Sequence, residues 1–106
     1  MVATLTAVEL RDWLQRDAKP VVVDVREPHE LAICALVEAK HIPMGQIPAR
    51  LNELDKNAEI VVMCHHGMRS MQVANYLTRA GFAKVYNLIG GINAWANDVD
   101  PRMARY

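Results

Sequence analysis

Apolar residues follow two rhythms along this chain, and the exchange between them predicts the fold. Val21-Val22-Val23-Asp24-Val25 and Ile60-Val61-Val62-Met63 are nearly unbroken apolar runs, short and rich in β-branched side chains. Strands without in–out alternation are covered on both faces, as in parallel sheets. Lys84 to Leu88 reads as a further strand, Ala3 to Leu5 as an edge strand, and His41-Ile42 as a short strand ended by Pro43 and Gly45. Between them the period becomes helical. Thr6 to Glu9 matches a capping box, and Ala7, Leu10, Trp13 and Leu14 set an apolar stripe behind it. Asp17 to Pro20 breaks that helix. Pro28 suits the first turn of a second helix, expected to run to Leu36. Ile47, Leu51 and Leu54 mark a short third helix, and Asp55 to Ala58 a turn. Val73, Ala74, Leu77 and Ala80 mark a longer helix stopped by Gly81, and Ile92 to Asn97 one anchored by Trp95. Asp98 to Tyr106 shows no period. Strands alternating with helices give an α/β domain around a mainly parallel sheet of four or five strands.

Composition narrows the class of function. The chain has 106 residues, 52% of them hydrophobic, which suits one domain over residues 1–106 with a single core. Twelve basic residues balance twelve acidic ones, so charge offers no attraction to nucleic acid or an anionic membrane. The apolar runs are far too short to span a bilayer, and Met1 to Leu14 lacks the basic-then-apolar order of a signal peptide. Two cysteines are too few for a disulfide scaffold and fit a reducing, cytoplasmic setting.

The chemistry gathers where the strand Ile60–Met63 gives way to a helix. Cys64-His65-His66-Gly67-Met68-Arg69-Ser70 follows directly. A thiol between a strand end and a helix N-terminus meets inward N–H groups and the positive end of the helix dipole. That setting lowers the pKa of a thiol and makes it reactive. Gly67 permits a positive φ and so an anion-binding nest, while Arg69 supplies a permanent charge and planar donors. Ser70 offers a donor to the same anion or a helix cap. His65 to Met68 form the interior of this ring, with Met68 able to line a sulfur pocket. Asp24, Arg26 and Glu30 follow the neighbouring strand, and sites collect outside the carboxyl ends of parallel strands. They read as an ion pair and loop-bracing network. An inert core cysteine needs neither a glycine nor an arginine in the turn after it; Cys34, within an apolar segment, carries no such surroundings. Adjacent His65 and His66 lack metal-ligand spacing, so no metal and no cofactor is called for.

A cysteine-and-arginine cradle also serves phosphate esters and arsenate. Here only four residues separate Cys64 from Arg69, one fewer than in the cysteine phosphatase pattern. The smaller ring suits a single terminal sulfur better than a tetrahedral phosphoryl group, which disfavours a phosphatase or arsenate reductase.

These motifs resemble the single-domain rhodaneses, and the rhodanese modules of enzymes that activate sulfur-carrier proteins. The matching residues are Val22 to Glu27 with Glu30, His41-Ile42-Pro43, Cys64-x-x-Gly67-x-Arg69-Ser70, and Asn87-Leu88-x-Gly90-Gly91-Ile92-x-x-Trp95. Glu38 stands where that family usually has a glycine. The resemblance implies a three-layer domain and a sulfurtransferase that carries sulfur as a persulfide on Cys64. It implies a thiosulfate-like donor and a thiol or cyanide acceptor. The alternative is a delivery module serving a sulfur-carrier or desulfurase protein, with little activity on small donors.

Overall fold

The computed structural model describes residues 2–106, and nine regular elements alternate as the two periods require. They are β1 (Ala3–Leu5), α1 (Ala7–Leu14), β2 (Val21–Asp24), α2 (Pro28–Leu31), β3 (Lys40–His41), β4 (Ile60–Met63), α3 (Met68–Arg79), β5 (Val85–Leu88) and α4 (Gly91–Asp98). The five strands form one parallel sheet in the order β1-β5-β4-β2-β3. The all-apolar β4 occupies the middle, where both faces and both edges are covered.

Successive strand side chains point to opposite faces, and the core divides accordingly. Val23, Ile60 and Val62 join Val73, Leu77 and Phe82 on the α3 side. Val22, Val61 and Met63 join Leu10, Leu88, Ile92 and Trp95 on the side of α1 and α4. The result is three layers, with helices on both faces of the sheet. The capping box at Thr6 is formed: its hydroxyl accepts from the Glu9 N–H at 3.1 Å, and the Glu9 carboxylate accepts from the Thr6 N–H at 2.8 Å.

Three expectations need correction. The second helix stops at Leu31 instead of Leu36. Its carboxyl side is unwound because the Cys34 carbonyl turns to accept from Arg26 Nη2 at 2.8 Å. The segment around Ile47, Leu51 and Leu54 forms two single 3₁₀ turns, Met44–Gln46 and Leu51–Glu53, in place of one helix. Ile42 lies just past β3, although its N–H still bonds the Asp24 carbonyl at 3.0 Å. Glu38 lies in an exposed turn, and among the described residues only glycines have positive φ, so its side chain meets no backbone strain. Among the described residues no helix is long and apolar enough to cross a membrane.

Candidate active site

Cys64 is the first residue after β4 and is 1% exposed. Gly67 then turns the chain into α3 with φ of 105°, in the left-handed region that costs glycine little. The turn swings main-chain donors onto the sulfur. The N–H of Gly67 lies 3.0 Å from Cys64 Sγ and that of Ser70 3.4 Å, with the Ser70 hydroxyl oxygen also at 3.4 Å.

The outer side of this loop is held by the start of α4. The carbonyls of Cys64 and His65 accept from the N–H groups of Ile92 at 2.9 Å and Asn93 at 3.1 Å. Such an approach requires Gly91. A Cβ there would stand 2.3 Å from the Cys64 carbonyl oxygen and 2.6 Å from that of His65. The Gly90-Gly91 pair, read from sequence as a turn, is therefore also the seat on which the cysteine loop rests. With its carbonyls drawn outward, the loop presents its N–H groups inward.

A second brace comes from β5. Asn87, 5% exposed, donates from Nδ2 to the Gly67 carbonyl at 3.1 Å and accepts at Oδ1 from the Ser70 hydroxyl. Ser70 is fully buried inside α3 and does not cap it; Gly67 holds the N-cap position. Its hydroxyl instead joins the sulfur to the sheet.

Arg69 presents both terminal nitrogens to Glu30, at 2.7 and 2.8 Å. Glu30 also accepts from the Glu27 N–H at 3.0 Å. The groups touching the sulfur are thus main-chain donors and a hydroxyl, while the guanidinium ties the loop to α2. Beneath lies Asp24–Arg26, both 0% exposed, whose fork is satisfied by Asp24 Oδ1 and Oδ2 at 2.8 to 3.1 Å. The Arg26 carbonyl accepts from His41 Nε2 at 2.7 Å. Asp24 pairs in register with Met63, so β2 and β4 bring the acidic–basic network and the thiol to one sheet edge.

His65 is partly buried and stacks flat on Tyr106, with centroids 3.8 Å apart and an interplanar angle of 9°. His66 is exposed against His65 at 3.9 Å. Met68 projects into solvent, 79% exposed. Cys64, His65, His66, Met68 and Arg69 line a depression of about 210 Å³. Cys34 lies 4.0 Å from Arg26 Nη1. Among the described residues no three His, Cys, Asp or Glu side chains converge as metal ligands.

The electrostatics follow from this geometry. Burial pushes the Cys64 thiol up, but the Ser70 hydroxyl and the N–H groups of Ser70, Gly67 and His66 favour the anion, and the net direction is down. The Arg69 guanidinium holds the Glu30 carboxyl well below the usual range despite burial, and Glu30 in turn raises Arg69. Burial, followed by the charge of His66, lowers His65. The balance of these contacts therefore favours the anionic form of the Cys64 sulfur relative to an ordinary thiol. Sequence reasoning missed the roles of Asn87, Gly91 and Tyr106. Two of those left a signal, a polar residue inside an apolar strand and a glycine at a helix start; Tyr106 left none.

A family model for the rhodanese-like domain matches residues 6–98, nearly all of this architecture. The chain belongs to the rhodanese-like family. Among related proteins, a sulfurtransferase of Allochromatium vinosum is 36% identical over 98% of this chain and 97% of its own length. The thiosulfate sulfurtransferase GlpE of Stutzerimonas stutzeri is 35% identical over 76% of this chain and 73% of its own. In three dimensions, a rhodanese-like domain protein from Staphylococcus aureus superposes with a TM-score of 0.86. It is 33% identical and covers 99% of both chains. For this rhodanese-like chain, the five-stranded parallel sheet and its helical layers are those of its family.

Proposed function

We propose that residues 1–106 act as one domain and as a sulfurtransferase in which Cys64 carries the sulfur. The observation behind this reading is the convergence on one buried sulfur of three or more donors, whose balance favours the thiolate. The thiolate attacks the outer sulfur of a donor such as thiosulfate. The sulfur–sulfur bond breaks, sulfite leaves with the bonding pair, and Cys64 becomes a persulfide anion. The inward N–H groups of His66, Gly67 and Ser70 stabilise that anion. An acceptor thiolate or cyanide then takes the outer sulfur and returns the Cys64 thiolate, a two-stage exchange with ping-pong kinetics. His65 and Met68 shape the walls, Arg69 braces the loop through Glu30, and Asp24–Arg26 supports it from β2. No metal or cofactor takes part, and a reducing, cytoplasmic compartment suits the free thiol.

The test is intact mass after exposure to thiosulfate. The reduced protein is expected to gain one sulfur atom, to lose it to cyanide, and to gain none as Cys64→Ser. Absence of any gain in the wild type removes thiosulfate as a donor. Exposed Met68 at the rim of an open depression favours a second reading, delivery to or from a partner protein. Slow thiosulfate turnover beside rapid loading from a desulfurase or sulfur-carrier protein would select it. Aryl phosphate hydrolysis is expected to be negligible beside sulfur transfer, because the ring is one residue too short.

A further inference from the structure

The chain after α4 has no sequence period, yet it returns to the cysteine loop. Arg105 anchors it, donating to the Ala96 carbonyl at 3.1 Å and to Asn97 Oδ1. These acceptors belong to α4, whose opposite end holds the carbonyls of Cys64 and His65. One residue further, the Tyr106 hydroxyl donates to Glu30 Oε1 at 2.8 Å and accepts from Arg26 Nη1 at 3.0 Å. Its single proton and its lone pair are both used in the sense their partners demand, a carboxylate on one side and a guanidinium on the other.

This hydroxyl closes a continuous chain of polar contacts. It runs from Asp24 through Arg26, Tyr106 and Glu30 to Arg69, and so from the buried pair under β2 to the first turn of α3. Glu30 has two oxygens and four donors: two from Arg69, one from Glu27 and one from Tyr106. The Tyr106 ring also lies flat on His65, the residue directly after Cys64. Tyr106 also lines a narrow crevice with Cys34, His65 and Ile92, separate from the depression lined by Cys64, His66, Met68 and Arg69.

We infer that Tyr106 is a positioning residue for the Cys64 loop, its hydroxyl coupling the Asp24–Arg26 and Glu30–Arg69 pairs and its ring fixing His65. Neither contact reaches the sulfur. Both restrict the two ends of the segment whose N–H groups must converge on it. Loss of either lets those donors spend less time on the sulfur, and the thiolate loses support. The inference rests on Cys64 being the sulfur-bearing group.

The experiment compares wild type, Tyr106→Phe and Tyr106→Ala by the pH dependence of iodoacetamide alkylation at Cys64, with melting temperature measured in parallel. Tyr106→Phe keeps the ring but removes the hydroxyl link. Its alkylation midpoint is expected to rise, with the rate at neutral pH falling roughly threefold, the scale of one modest hydrogen bond. Tyr106→Ala is expected to fall further, by roughly tenfold, since the ring contact is lost as well. A Phe variant with wild-type midpoint and rate overturns the hydroxyl coupling. An Ala variant matching Phe overturns the role of the ring, whatever the melting temperatures do. Alkylation needs no sulfur donor, so failure of the wild type to load sulfur would strike the proposed function and leave this comparison intact.

Discussion

At the residue scale, one proton decides much of the chemistry. The Ser70 hydroxyl faces both Cys64 Sγ and Asn87 Oδ1, and the Asn87 amide is oriented by its donation to the Gly67 carbonyl. Ser70 can therefore serve the thiolate only by turning its proton from Asn87 to sulfur. Ser70→Ala removes that donor, and the Cys64 pKa is expected to rise toward its ordinary value, slowing alkylation at pH 7 by roughly three- to tenfold. A pH–rate profile for iodoacetamide measures this directly. For the wild type the profile is expected to turn at a pH below the ordinary thiol value of 9.0, since the folded state favours the anion. Arg26 illustrates the cost of burial. Arg26→Met leaves Asp24 without its partner at 0% exposure, and urea denaturation is expected to show a loss of about 3–5 kcal/mol.

At the scale of elements, the cysteine loop is shaped between α4 and β5 more than by α3, which it enters. The N-terminus of α4 spends its first free donors on the Cys64 and His65 carbonyls, in place of a ligand. Gly91→Ala drives a methyl group into both carbonyls, so α4 must move away and the loop must rotate. Destabilisation of about 1–3 kcal/mol is expected from the overlap alone. Alkylation should slow as well, and the pairing of melting temperature with alkylation rate separates this variant from a simple packing defect. Leu77→Ala, in the α3 face of the core, is the contrasting case. It is expected to cost about 2–5 kcal/mol with a far smaller effect on the Cys64 midpoint than Gly91→Ala, because Leu77 lies in the core near the far end of α3 and makes no hydrogen bond to the sulfur.

At the scale of the whole molecule, the charged and hydroxyl network behind the Cys64 loop joins four parts of the chain: the end of β2 with its ion pair, α2 with Glu30, the β4–α3 turn with Arg69, and the segment after α4 with Tyr106. Acid should loosen the link made by Glu30. Glu30 has its pKa depressed in the folded state from an ordinary 4.5, so its contribution to stability is complete above that value. It is lost progressively as pH falls through the lower folded value. From neutrality down to about pH 4.5 the Glu30 contribution is therefore flat, with the decline below it. Glu30→Gln is expected to lower stability at pH 7 and to shrink this low-pH decline, as thermal melts across pH would show.

The sequence alone determined the alternation of strand and helix, the two-sided burial of Ile60–Met63 and the single thiol with a glycine and an arginine after it. These are local facts, carried by side-chain period and by the backbone freedom of one glycine. The lengths of the second helix and of the segment around Leu51 were decided elsewhere. The Arg26 guanidinium, eight residues upstream, claimed the Cys34 carbonyl, and such competition leaves no mark in the helical period. The same holds for the site. That Gly91 makes room for two carbonyls, that Asn87 reaches Gly67 and Ser70, and that Tyr106 returns to Glu30 and Arg26 are consequences of packing between residues far apart in the chain. Only the folded arrangement decides them, because each depends on distances that no spacing in the sequence encodes.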